Sequence, residues 1–309
     1  RRYIACAAPS QDNHEAGEAD LDSPDAVAEA PVLENLRSLE TLGSLVKEFR
    51  FNAQYAEKLR QLRQHGYAGW RRVRGDGNCF YRAVGFGVLE LLACCDGAGG
   101  TSPEGSWASR FMERLRSLRF EDAAEAAAHT RLLREAGKLG GRGGRQEAAM
   151  EDLCQELRDA QGKLDIALVC AMRGLAAQFL EEHAHDEDVN EGISFETVCQ
   201  ADGHEGVADF CRRIVRPLKV EAENPVPRAL AMALGVRIRI ALLDRSESAN
   251  LVFDDYPAMS TDAPTVHVQL RPGHYDLLYL TGAGAGAPRA AAPPEQPAVA
   301  APAALPVRG

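Results

Sequence analysis

The amino-acid sequence predicts an α+β domain, with helices first and a small, mostly antiparallel sheet assembled largely from the end of the chain. Apolar residues recur at helical spacing over most of the chain before Gly235, whereas period-two alternation is gathered between Val236 and Leu280. The chain has 309 residues and 45% hydrophobic content, which suffices for one large core or two small ones.

The elements follow in order. Residues 1–31 are rich in Asp, Glu and Ala and poor in large apolar side chains, as expected of a disordered acidic arm. Leu36, Leu39, Leu42, Leu45 and Val46, then Tyr55, Leu59 and Leu62, predict two amphipathic helices within a helical arm spanning 32–68. Such an arm serves either core packing or a partner. Trp70 to Val73 reads as a short strand, and Phe80 to Leu92 as a helix. Residues 96–106 and 121–148 read as flexible insertions. The first half of the second can be helical, but Gly140-Gly141-Arg142-Gly143-Gly144-Arg145 cannot. Helices are expected at Trp107–Leu118, Met150–Leu157, Ile166–Leu180, Phe195–Cys199, Val207–Val215, and from Pro225 or Pro227 to Leu234. Val236–Ile240, Val266–Leu270 and Leu277–Leu280 alternate as strands. The domain closes at 281, and 282–309 is an Ala/Pro/Gly-rich tail expected to be disordered.

Composition excludes several classes. A net charge of −10 argues against a nucleic-acid binder, which needs a basic patch. No apolar run approaches the length of a membrane span. Eight cysteines are too sparse for a disulfide scaffold, and several lie in apolar helical patterns, so reduced thiols and a cytoplasmic or nuclear home are expected. Cys94-Cys95 has no second pair at zinc-finger spacing. His183, His185, Asp186, Glu187 and Asp188 read as a solvated helix end, so no metal site is expected.

One stretch carries chemistry. Arg74-Gly75-Asp76-Gly77-Asn78 joins the short strand to the helix through turn residues and places Cys79 in the first helical turn. A helix N-terminus stabilises a thiolate, the form that attacks carbonyls, and unpaired N–H groups around the turn can receive an oxyanion. The turn alone leaves two readings open, a nucleophile or a small buried hydrophobe.

A nucleophile needs a base. In Arg271-Pro272-Gly273-His274-Tyr275-Asp276, Pro-Gly forces a turn, and His274 and Asp276, at i and i+2 of the last strand, point from one face. A carboxylate beside an imidazole holds its tautomer and stabilises the imidazolium. The other histidines have weaker claims. His267 lies within a strand, His65 and His129 on polar helix faces or ends, and His14 in the arm.

Together, Asp76-Gly77-Asn78-Cys79-Phe80-Tyr81-Arg82-Ala83 and Arg271-Pro272-Gly273-His274-Tyr275-Asp276 resemble the signature pair of the otubains, the OTU-class cysteine deubiquitinases. The resemblance spans residues 33 to 281. It implies a papain-like OTU protease fold with Cys79 as nucleophile, His274 as general base and acid, Asp276 orienting His274, and Asp76 shaping the active-site turn. It further implies a thiol isopeptidase acting on ubiquitin and polyubiquitin without cofactor or metal. The alternative it carries is a non-catalytic regulator of ubiquitin-conjugating enzymes that uses the helical arm. A redox sensor based on Cys79 is a third reading, disfavoured because sensing has no need of His274 and Asp276. Residues 96–106, 121–148 and the proline-bearing Glu223–Arg228 depart from the family pattern, so linkage preference does not transfer.

Overall fold

The structure is a computed structural model describing residues 34–94, 106–139, 146–160, 162–243, 250–256 and 263–282. The expected acidic arm lies outside the described residues, as does the tail beyond 282. The chain opens with strand β1 (Glu40–Thr41), helices α1 (Leu42–Glu48) and α2 (Ala53–Gln64), and strand β2 (Tyr67–Arg71). Among the described residues, seven α-helices follow between 79 and 215. They are α3 (Cys79–Ala93), α4 (Trp107–Ser117), α5 (Ala123–Leu139), α6 (Gln146–Arg158), α7 (Lys163–Glu182), α8 (Phe195–Ala201) and α9 (Val207–Phe210), the last running into a π-helical turn at Cys211–Val215. Helix α10 (Val226–Leu234) leads to strands β3 (Arg237–Leu242), β4 (Val252–Tyr256), β5 (Thr265–Arg271) and β6 (His274–Leu280).

The six strands form one sheet in the order β1-β2-β6-β5-β3-β4. Only β3 and β5 run parallel; all other neighbours are antiparallel. An early strand therefore pairs with the last one, Trp70 opposite Leu278 and Arg71 opposite Leu277. This pairing brings the turn after β2 beside the start of β6.

Helix α3 is held between the sheet and α7, and two glycines make the fit possible. A Cβ on Gly85 would meet Met172 Cγ at 2.9 Å, and one on Gly87 would meet Val266 Cγ1 at 2.7 Å. The opposite face of the sheet is covered by the first two helices. Leu42, Leu45, Tyr55, Leu59 and Leu62 pack with Trp70, Ala241, Leu243 and Leu278. At about 2 kcal/mol for each buried leucine, these contacts make the helical arm part of the core.

Several expectations are corrected. The first amphipathic helix is shorter than its pattern: Leu36 forms an isolated bridge to Val73, and Leu39 is exposed ahead of β1. Strands β1 and β4 carry no clean alternation, and β4 has an Asp-Asp pair in its middle. Residues 121–148, expected as a flexible insertion, hold α5 and the start of α6. His129, Leu132, Ala136 and Leu139 are buried, because the Ala-rich segment carries one apolar stripe that docks on the neighbouring helices. The glycine-rich residues 140–145 lie outside the described residues. His129 is not on a polar face; its Nε2 hydrogen-bonds Leu115 O at 3.0 Å.

Candidate active site

The turn between β2 and α3 is built by its own side chains. Asp76 Oδ1 accepts from Asn78 N at 3.1 Å, closing an Asx turn. Gly77 has φ +74°, and a Cβ there would stand 2.2 Å from Lys219 O. Only glycine fits this position. Asn78 is the N-cap residue but does not cap α3 with its side chain. Its Oδ1 accepts instead from Lys219 N at 2.9 Å and from Arg173 Nη2 at 2.8 Å.

Two buried arginines brace this turn. Arg82, one turn into α3, donates to Asp76 at 2.9 and 3.0 Å, to Arg74 O at 3.0 Å, and to Asp165 of α7 at 2.8 and 3.0 Å. Burial pushes the Asp76 carboxyl up, but Arg82 outweighs it and holds the group below the usual range. For the more enclosed Asp165, burial wins and its pKa is raised. Arg173, fully buried on α7, donates to Gly77 O, Val215 O and Val220 O at 3.1, 2.9 and 2.7 Å. Its guanidinium also lies 4.0 Å from the Tyr81 ring centre.

Cys79 is the first residue of the 15-residue helix α3 and is 3% exposed. Its backbone N–H belongs to the first helical turn, where no intrahelical acceptor exists. The site's other half comes from the β5–β6 hairpin, whose Pro272–Gly273 connection sets Arg271 opposite His274. His274 Nε2 bonds Asp276 Oδ1 at 2.8 Å, so Nδ1 is the ring nitrogen left for the hydrogen bond with Cys79. A Cβ on Gly75 would come within 3.2 Å of that Nδ1. Burial disfavours the charged ring, yet the bonds to Asp276 and Cys79 prevail and raise its pKa to about 9. An imidazolium therefore stands beside the sulfur at neutral pH.

Asp276 is completely buried and accepts four hydrogen bonds. Its partners are His274, Val73 N at 3.1 Å, Gln269 Nε2 at 3.2 Å and Arg271 Nη2 at 2.8 Å. Burial alone would push its pKa up; these donors and the Arg271 charge hold it down. The four residues singled out from the sequence thus fall in one place, Asp76 beneath the turn and Cys79, His274 and Asp276 in a line. His267 stands apart, bonded to Tyr67 OH at 2.8 Å and driven by burial to a pKa of about 4.

Arg82, Asp165, Arg173, Gln269 and Arg271 were given no role by sequence reasoning. Arg173 had left a signal, a lone cation in the middle of an otherwise apolar helix stretch. Gln269 and Arg271 alternate with apolar residues along β5, the pattern of an ordinary half-exposed strand, which hid them. Among the described residues no three His, Cys, Asp or Glu side chains gather to hold a metal ion. No helix among them is long and apolar enough to cross a membrane.

A cysteine at a helix N-terminus, joined through an imidazole to a buried carboxylate on an α+β frame, defines a cysteine peptidase. The family model described as Peptidase C65 Otubain matches residues 27–280, and the chain belongs to the otubain family. It is 30% identical over 225 residues to human "Ubiquitin thioesterase OTUB1", covering 73% of this chain and 75% of that protein. It is 27% identical over 253 residues to the "OVARIAN TUMOR DOMAIN-containing deubiquitinating enzyme 1" of Arabidopsis thaliana, covering 78% and 79%. A solved complex of h/ceOTUB1 with ubiquitin aldehyde and UBC13~Ub shares the fold, with a TM-score of 0.59 and 24% identity over 80% of this chain and 91% of that one.

Proposed function

We propose that this chain is a cysteine-type deubiquitinase that cleaves ubiquitin from lysine side chains, with Cys79 as nucleophile and His274 as its acid–base partner. The observation that carries the reading is the Cys79–His274–Asp276 line, with Asp276 fully buried and bonded to His274 at 2.8 Å. The names of the relatives, ubiquitin thioesterases and a deubiquitinating enzyme, supply the substrate class.

The Cys79 sulfur attacks the carbonyl carbon of ubiquitin's C-terminal glycine. Negative charge moves onto the oxygen, towards the free N–H groups at the start of α3. As the C–N bond breaks, the His274 imidazolium gives its proton to the departing lysine amine, leaving a thioester on Cys79. His274, now neutral, takes a proton from water, which attacks the thioester and releases the ubiquitin carboxylate. Asp276 keeps the ring oriented throughout and balances its charge. Asp76 acts on the turn, together with Arg82.

The arm supports a second role, restraint of ubiquitin-conjugating enzymes, because the solved h/ceOTUB1 complex contains UBC13~Ub and α1 and α2 are folded here. A reducing cytoplasmic or nuclear setting fits the buried, reduced thiols of Cys79, Cys154, Cys199 and Cys211.

The test is ubiquitin bearing a C-terminal electrophile, read by intact mass and peptide mapping. One ubiquitin adduct on Cys79, absent in Cys79→Ala and much slowed in His274→Ala, is the expected result. No adduct on folded protein overturns the catalytic reading and leaves binding to conjugating enzymes as the activity to measure.

A further inference from the structure

Arg271 does more than hold the buried carboxylate. Its Nη2 donates to Asp276 Oδ2 at 2.8 Å, while Nη1 stands 3.7 Å from Glu48 Oε1. Glu48 is the last residue of α1, far away in sequence, and its other oxygen is paired with Arg72. A carboxylate at a helix C-terminus is disfavoured by the helix dipole, so Glu48 is held there by the two arginines rather than by its own helix. Phe49, next in the chain, lies with its ring centre 5.5 Å from the Arg271 guanidinium carbon. A continuous charge relay therefore runs Glu48, Arg271, Asp276, His274, and it begins on the helical arm.

We propose that Glu48 is a positioning residue for the reaction at Cys79: by sharing the Arg271 guanidinium with Asp276, it decides how much of the Asp276 charge is left to support the His274 imidazolium. This rests on the reading of Cys79, His274 and Asp276 given above. With Glu48 ionised, part of the Arg271 charge is neutralised from the arm side, and Asp276 acts on His274. With Glu48 neutral, the whole guanidinium charge bears on Asp276, and the imidazolium loses support.

The surrounding charges define where this effect is read. Cys79 faces the His274 ring from α3, Asp276 faces it from its own strand, and Glu221 lies beside Gly273 from the loop after the π turn. Glu48 itself faces Arg72 and Arg271. Altering Glu48 leaves Cys79, Asp276 and Glu221 chemically unchanged and takes a partner from Arg72 and Arg271, of which only Arg271 is bonded to Asp276, so a displaced pH profile reports on the relay.

The test compares Glu48→Gln and Glu48→Lys with the parent chain and with Glu57→Gln, which removes a carboxylate from α2 that is bonded to Arg60 and Gln61. The readouts are the alkaline limb of kcat/KM on ubiquitin carrying a C-terminal fluorogenic amide, and the NMR titration of the His274 ring without substrate. The expected result is a midpoint lower by about 0.3–0.5 pH unit in Glu48→Gln and lower still in Glu48→Lys, a two- to threefold loss above the midpoint. Glu57→Gln keeps the parent profile. A uniform loss at every pH, or midpoints that do not move in folded Glu48 variants, overturns the relay. If the parent turns over no ubiquitin substrate, the ring titration still decides the relay, and only the assignment of the substrate falls.

Discussion

Arg173 Nη2 reaches the Asn78 side chain at 2.8 Å and the Gly77 carbonyl at 3.1 Å, so one buried guanidinium on α7 holds both residues that precede the nucleophile. It also donates to the carbonyls of Val215 and Val220 and so fastens the loop that carries Lys219 against the same turn. The turn is thus shaped by tertiary contacts as much as by its own glycines.

Replacing Arg173 with Lys keeps a charge but loses the planar fork that serves several carbonyls at once. We expect a stability loss of about 2–3 kcal/mol in urea unfolding. Where the variant remains folded, kcat falls more than KM rises, because the substrate surface is intact while the reacting turn is loosened. Equal damage to both constants would assign Arg173 to general stability only.

Gly77 combines a positive φ with a backbone oxygen where its Cβ would stand. Gly77→Ala must displace either the turn or the Lys219 strand of loop. The expected outcome is at least about 1–3 kcal/mol of strain and a hundredfold or greater fall in ubiquitin adduct formation at Cys79. Gly137→Ala, with open space around its Cβ, is the control and leaves the adduct rate unchanged.

The raised pKa of His274 fixes the sign of the pH dependence. Activity that needs the imidazolium is present at neutral pH and is lost as pH rises through about 9. The linked stability has the same sign: it is full below about 6.5, the unfolded value, and disappears as pH rises through about 9. Asp276→Asn removes the charge that sustains this state. Its alkaline limb moves to lower pH and kcat falls by about 10²–10⁴, measured with the fluorogenic ubiquitin substrate.

Asp165 shares Arg82 with Asp76 and is almost wholly buried. Asp165→Ala leaves the arginine with one carboxylate in a site closed to water. A loss of about 3–5 kcal/mol is expected in thermal or denaturant unfolding. Asp76→Asn costs less stability, since Arg82 keeps Asp165, but loosens the Asx turn and lowers the rate of adduct formation. If Asp76→Asn unfolds the chain while Asp165→Ala does not, the division of labour argued for Arg82 is wrong.

Much of this site was legible in the chain itself. A turn of Gly, Asp and Asn before an apolar helical run placed Cys79 at a helix start, and Pro-Gly before an alternating strand put His274 and Asp276 on one face. Such signals are local, written in a few neighbouring residues whose backbone preferences agree. The short β1 and β4 strands were hidden because their residues take strand geometry from neighbours across the sheet; the helical tendency of 121–139 was legible, but its docking on the core was not, because the Ala-rich composition conceals a single apolar stripe.

The sequence by itself determined most of the helices and the strands near the end of the chain, the two local frames that carry Cys79 and His274, and the family to which the chain belongs. Tertiary structure alone decided that β2 pairs with β6, which brings those frames together across nearly two hundred residues. It also decided that Arg82, Arg173 and Arg271 lie buried against carboxylates and carbonyls. The reason is physical: a polar side chain in a helix or strand looks the same in sequence whether it ends in water or in the core. Only packing against distant elements sets the desolvation and the partners that give it a role.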